Sequence, residues 1–247
     1  MNIIDNLANS IVMNQSNIVS SVKKRQVNIE LLRIIAMILV LLTHTGYGKC
    51  DISLVHSDIW KAIGTYEVDS CIFVCVPCFV VISGYFGIRW KWKGIFNYLF
   101  QIGFWGGMVY LITWGLGLHD FHALIFIEHM TCFLQGVNWF FYAYFGLYMF
   151  APVLNAFIEK ANEGQMMWMT LAFFAFQTVF GWILKQNEFY YGLTFTSLIG
   201  WYMLGAFLRK STWKGFHLKP WQNMAVFLGM GQMCVAVALV AAFLGIE

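Results

Sequence analysis

Along most of the chain, polar residues are confined to short breaks between long apolar stretches. Apolar runs cover residues 28–46, 70–88, 95–117, 138–158, 166–184, 191–208 and 221–244. Each is close to the roughly 20 residues that an α-helix needs to cross a bilayer core of about 30 Å. The pattern predicts an all-α fold: a polytopic transmembrane helical bundle of about seven spans. Residues 123–135 are too short to cross and carry Glu128 and His129, which predicts one short interfacial or re-entrant helix. Residues 1–27 form an N-terminal leader, cytoplasmic or interfacial, ahead of a bundle over 28–247. The leader lacks the order of a signal peptide, because the basic cluster Lys23, Lys24 and Arg25 follows it instead of opening it. The halves of the chain do not mirror one another, which argues against an inverted-repeat transporter.

Composition supports this reading. Of 247 residues, 60% are hydrophobic, 19% aromatic and only 11% charged, with mean hydropathy +0.67. An average soluble domain is about 25% charged, so the chain lacks the polar residues to cover a water-facing globule. A soluble enzyme, a disordered protein and a nucleic-acid binder are disfavoured. The six cysteines form no disulfide framework. Cys71, Cys75, Cys78 and Cys234 lie inside apolar runs and read as small apolar residues, while only Cys50 and Cys132 approach loops. Trp90, Trp92, Trp139, Trp201, Tyr202, Trp213 and Trp221 cluster near span ends, where aromatic rings anchor helices at the interface.

Lysine and arginine in short loops set the orientation. With the N-terminus in the cytoplasm, the inner side collects Lys23, Lys24, Arg25, Arg89, Lys91, Lys93, Lys160, Arg209, Lys210, Lys214 and Lys219. The outer side receives only Lys49, Lys61 and Lys185. Eleven of the 15 basic residues thus fall inside, which predicts seven crossings with the N-terminus in and the C-terminus out.

The remaining basic residue, Arg33, lies within the first span with Glu30 and His44. Ionisable residues at a helix centre cost about 2.5–3.5 kcal/mol on insertion scales, so they usually face a polar interior. Eleven steps separate Arg33 from His44, almost three whole turns, and Glu30 lies one turn before Arg33. All three project from one stripe, with about 16 Å between Arg33 and His44. Such a stripe suits a long anionic donor entering from the cytosol. Arg33 would hold a phosphate by paired hydrogen bonds, and His44 would move a proton. The plainer alternatives are Arg33 snorkelling to headgroups with Glu30 as its ion pair, and a helix-end histidine that is merely hydrogen-bonded.

Glu-Leu-Leu-Arg at 30–33 and Thr-His-Thr at 43–45 resemble the first-span signature of the acyltransferase 3 family. Arg33 and His44 match its Arg-x10-His pair, and Glu30 stands where the family has an acidic residue, usually Asp. PCFVVISGYF at 77–86 is similar to the family's run ending in Ser-Gly and an aromatic residue, with Ser83 and Gly84 matching. NWFFYAYFGLYMFAPVL at 138–154 is similar to its Trp-Phe-x-Tyr segment, carried by Trp139, Tyr142, Tyr148 and Pro152. WYMLGAFL at 201–208 resembles a later span. The resemblance covers about residues 25–210. It implies a multi-pass enzyme of the bacterial inner membrane that moves an acyl group, commonly acetyl from acetyl-CoA, onto a hydroxyl of a sugar or other acceptor. Acyl-CoA is then a donor substrate, with no permanently bound cofactor and no metal.

Two departures stand out. Where the family often has Arg-x-x-Arg, this chain offers Arg89, Lys91 and Lys93, which could meet the CoA phosphates as point charges or serve only as a positive-inside flank. Family members are also commonly longer, with more spans, so the resemblance implies a shortened or truncated member. No phosphate loop and no nucleophile elbow is present. Direct transfer assisted by His44 is therefore expected over a Ser83 acyl-enzyme. His119, Asp120, His122, Glu128 and His129 crowd one outer loop, readable as an acceptor site or a solvated loop, without the spacing of a strong metal motif. Asp51, His56, Asp58, Glu67 and Asp69 form a second polar outer stretch. The reading is an O-acyltransferase acting on a cell-surface carbohydrate or its precursor. The alternatives are an inactive fragment of one, or a transporter component with a proton-relay stripe.

Overall fold

The computed structural model describes residues 27–45, 52–131, 139–184, 186, 192, 194–211 and 219–243. Within these residues there are helices and no strands. The helices are α1 (Val27–His44), α2 (Ile52–Ser57), α3 (Ile59–Ile72), α4 (Cys75–Phe86), α5 (Trp92–Gly115), α6 (Ala123–Thr131), α7 (Trp139–Lys160), α8 (Glu163–Gln177), α9 (Phe195–Lys210) and α10 (Pro220–Phe243). A π-helical segment, Thr178–Ile183, continues α8. Residues 1–26 of the expected leader, together with Cys50, Cys132 and Trp213, lie outside the described residues, and Val27 opens α1.

Among the described residues, five helical stretches are long and apolar enough to cross a bilayer: α1, α3 with α4, α5, α7 and α10. The expected spans 166–184 and 191–208 correspond to α8 with its π segment and to α9. α8 has 15 residues and its π segment six more, whereas α9 has 16 and extends about 24 Å, short of a bilayer core. The expected span 70–88 begins earlier, at Ile59, because Asp58 caps α3 by accepting from the Lys61 backbone N–H at 3.1 Å. The helix then breaks at Phe73–Val74. Pro77 lacks the N–H that would bond the Phe73 carbonyl, and its ring crowds that carbonyl.

The core forms around α9, which packs on α4, α7 and α8. Val80, Leu147, Met166, Leu198 and Tyr202 are fully buried there. α4 and α9 meet backbone to backbone. A Cβ on Gly84 would run into the Tyr202 carbonyl, and one on Gly205 into the Val81 carbonyl. Small residues permit such approach between membrane helices. α1 lies at the edge, packed on α4 and α3, while α10 packs on α3 and α2. α6 folds back along α5, where Gly103 and Gly107 admit Met130. It is a short helix packed along α5, and residues 132–135 of the expected interfacial or re-entrant stretch lie outside the described residues.

Candidate active site

Half-buried or buried positions on α1 include Glu30, Arg33, Ala36 and Val40, one stripe facing the neighbouring helices. Arg33 Nη1 donates to Glu30 Oε1 at 3.0 Å, an ion pair one turn apart. The Arg33 guanidinium carbon also lies 5.7 Å from the centre of the Phe86 ring at the end of α4, within cation–π range. The start of α1 is thereby docked against the end of the Ser-Gly helix. His44 continues the stripe by spacing but lies past the part the bundle covers. It is exposed and has no hydrogen-bond partner among the described residues. Glu30 and Arg33 are thus brought together, and His44 stands about 16 Å away along α1.

Phe86 leads into the turn Gly87–Lys91, which carries Arg89 and Lys91 and is followed by Lys93. Three side chains from distant helices hold this turn. Tyr202 Oη accepts from the Ile88 N–H at 3.0 Å and donates to Asn155 Oδ1 at 2.7 Å. Asn155 Nδ2 donates to the Ile88 carbonyl at 2.8 Å. Tyr148 Oη accepts from the Lys91 N–H at 3.1 Å and donates to the Arg89 and Lys91 carbonyls. The Ile88 and Lys91 N–H groups and the Ile88, Arg89 and Lys91 carbonyls are therefore satisfied by protein, while the Arg89, Lys91 and Lys93 side chains are exposed. At the same end, Lys210 Nζ donates to the Ile158, Glu159 and Ala161 carbonyls at the end of α7, as cations do at helix C-termini. Basic groups scattered in sequence thus collect at one end of the bundle.

Other expected residues have structural places. Ser83 Oγ donates to the Phe79 carbonyl at 2.8 Å and lies 3.1 Å from Tyr144 Oη. Gly84 is the close approach to α9. Trp139 and Tyr142 pack edge-on against Phe140 and Phe141 in the helix that carries Tyr148. Asn155 and Tyr202 escaped sequence reasoning as turn holders; a lone Asn in an apolar span was the available signal.

The two polar stretches expected on the outer side differ. His119, His122 and His129 surround Tyr110 beside a cavity of about 460 Å³ between α5 and α6. Tyr110 Oη accepts from the His122 N–H at 2.8 Å, Thr113 Oγ1 lies 2.8 Å from His119 Nε2, and His129 Nδ1 bonds the Ile125 carbonyl. Among the described residues no three His, Cys, Asp or Glu side chains converge to hold a metal. In the second stretch, Glu67 Oε1 accepts from Gln232 Nε2 at 3.2 Å and His56 packs edge-on to Phe243. These groups tie α2 and α3 to α10.

Among the described residues, the all-helical fold with five stretches fit to cross a bilayer, a buried helix crossing and a basic end defines a multi-pass membrane protein. A family model described as an acyltransferase domain matches residues 26–246, and the chain belongs to that family, acyltransferase 3. Comparison with curated proteins and with solved structures returns no match.

Proposed function

We propose that the protein is a membrane O-acyltransferase that moves an acyl group, acetyl in the simplest case, from acyl-CoA to a hydroxyl of a cell-surface carbohydrate or its precursor. The observation that carries this is the docked Glu30–Arg33 pair beside the held cationic turn, on the stripe that continues to His44. The charge bias favours a cytoplasmic side for the basic end, and in this reading that side belongs to the inner membrane of a bacterial cell, where acyl-CoA is supplied. Arg33, oriented by Glu30, engages donor phosphate, and Arg89, Lys91 and Lys93 draw the nucleotide to the turn. The pantetheine arm extends along α1 toward His44.

His44 accepts the acceptor hydroxyl proton as the oxygen attacks the thioester carbonyl. A C–O bond forms, the C–S bond breaks, and the proton passes from His44 to the leaving thiolate. His44 is free of protein hydrogen bonds among the described residues, which leaves its ring available for this exchange. The test is transfer of labelled acetyl from acetyl-CoA to envelope carbohydrate in proteoliposomes. His44→Ala and Arg33→Ala, at protein levels equal to wild type, should reduce transfer by about a hundredfold or more, within the usual contribution of general acid–base catalysis. Undiminished transfer in both variants would remove these residues from the mechanism.

A further inference from the structure

The turn after α4 has a neighbour from outside its own segment. Gly87 closes α4 with φ +75°, a conformation that favours glycine. A Cβ built there would lie 3.4 Å from Nη1 of Arg209, in the last turn of α9. The Arg209 guanidinium therefore rests over the Gly87 backbone. Next to Gly87, the Phe86 ring carries the Arg33 guanidinium. The two arginines differ in one respect. Arg33 is paired with Glu30, whereas Arg209 is exposed and has neither hydrogen bond nor ion pair among the described residues. Its neighbour Lys210 is engaged with the α7 carbonyls. The nearby carboxylate of Glu163 accepts from Ser211 Oγ at 2.7 Å.

We propose that Arg209 is a phosphate-binding residue of the donor site, taking a phosphate group at the nucleotide end of acyl-CoA together with Arg89 of the held turn. This rests on the acyl-CoA reading above and deepens it. Lysines such as Lys91 and Lys93 meet phosphate as point charges, but a guanidinium offers a planar pair of donors. The sequence lacks a second arginine on the turn itself, and the fold supplies one from α9. The turn is fixed by Tyr202, Asn155 and Tyr148, so the backbone that carries Arg89 is held in place before a ligand arrives, which lowers the ordering cost of binding.

The experiment is equilibrium binding of acetyl-CoA to the full chain in nanodiscs of neutral lipid, with inorganic pyrophosphate as competitor. Arg209→Gln should raise Kd about tenfold or more, the value of a lost charge-assisted hydrogen bond, and flatten the dependence of Kd on salt. Arg209→Lys, which keeps the charge, should recover part of the affinity, and pyrophosphate should compete less well in Arg209→Gln than in wild type. An unchanged melting temperature separates lost contact from lost fold. Wild-type binding that Arg209→Gln leaves unchanged in affinity and salt dependence overturns the role of Arg209 alone. A folded wild type that binds no acetyl-CoA overturns the acyl-CoA reading, and this inference with it.

Discussion

Tyr202 shows how one hydroxyl can organise a site it need not touch. Its ring is fully buried in the α9 core, yet its oxygen reaches the backbone of Ile88 and the amide of Asn155. Tyr202→Phe keeps the ring and removes both bonds, leaving the buried Ile88 N–H without a partner. Such a loss costs about 1–3 kcal/mol. The expected outcome is a lower melting temperature in detergent together with weaker acetyl-CoA binding. Binding unchanged alongside a lowered melting temperature would show that the turn does not need this restraint. The Glu30–Arg33 pair was legible in the sequence because its partners lie one helical turn apart. The Tyr202–Ile88 bond was not, since it joins residues 114 positions apart and no local spacing encodes it.

Helix pairs are decided by where side chains are missing. Gly84 and Gly205 lie at the crossing of α4 and α9, and a methyl on either would enter the facing backbone. Gly84→Ala should destabilise the protein by about 1–3 kcal/mol or more, since overpacking forces backbone shifts. Gly64, inside α3, has no atom within 4 Å of a Cβ placed there. Gly64→Ala should be neutral or stabilising by up to about 1 kcal/mol, because alanine favours helix. Thermal unfolding of both variants in one detergent checks the contrast, and equal effects would contradict this packing. Most helices were legible from hydropathy. The exceptions are α2 and α3, where His56, Asp58, Glu67 and Asp69 read as part of a polar outer stretch. Hydropathy reports where side chains prefer to be, whereas helix continuity depends on backbone bonds and caps, and here Asp58 and Gln232 accommodate the polar groups.

At the scale of the molecule, most of the described basic residues gather at the end where α1 begins, α4 turns into α5, and α7 and α9 finish. That end is expected to face the cytoplasm. In a cysteine-free background, Lys93→Cys should react with an impermeant maleimide only in inside-out vesicles, and Asp120→Cys only in right-side-out ones. The reverse result would invert the orientation, and with it the side from which the donor enters. Charge alone could propose this arrangement, because the bias is a sum over loops and needs no tertiary contact. It could not reveal that Arg209 faces Gly87, which depends on the crossing of α4 with α9.

The helix that carries Glu30, Arg33 and His44 lies at the edge of the bundle, with Ala36 its one buried residue. In a random mutant library this would sort the inactive alleles into two kinds. Polar-stripe substitutions on α1 would give silent protein that still accumulates in the membrane, and these could poison mixed populations by competing for insertion or substrate. Lesions at the α4–α9 crossing would instead clear the protein from the cell, and a plain abundance measurement would tell the two apart before any assay of chemistry.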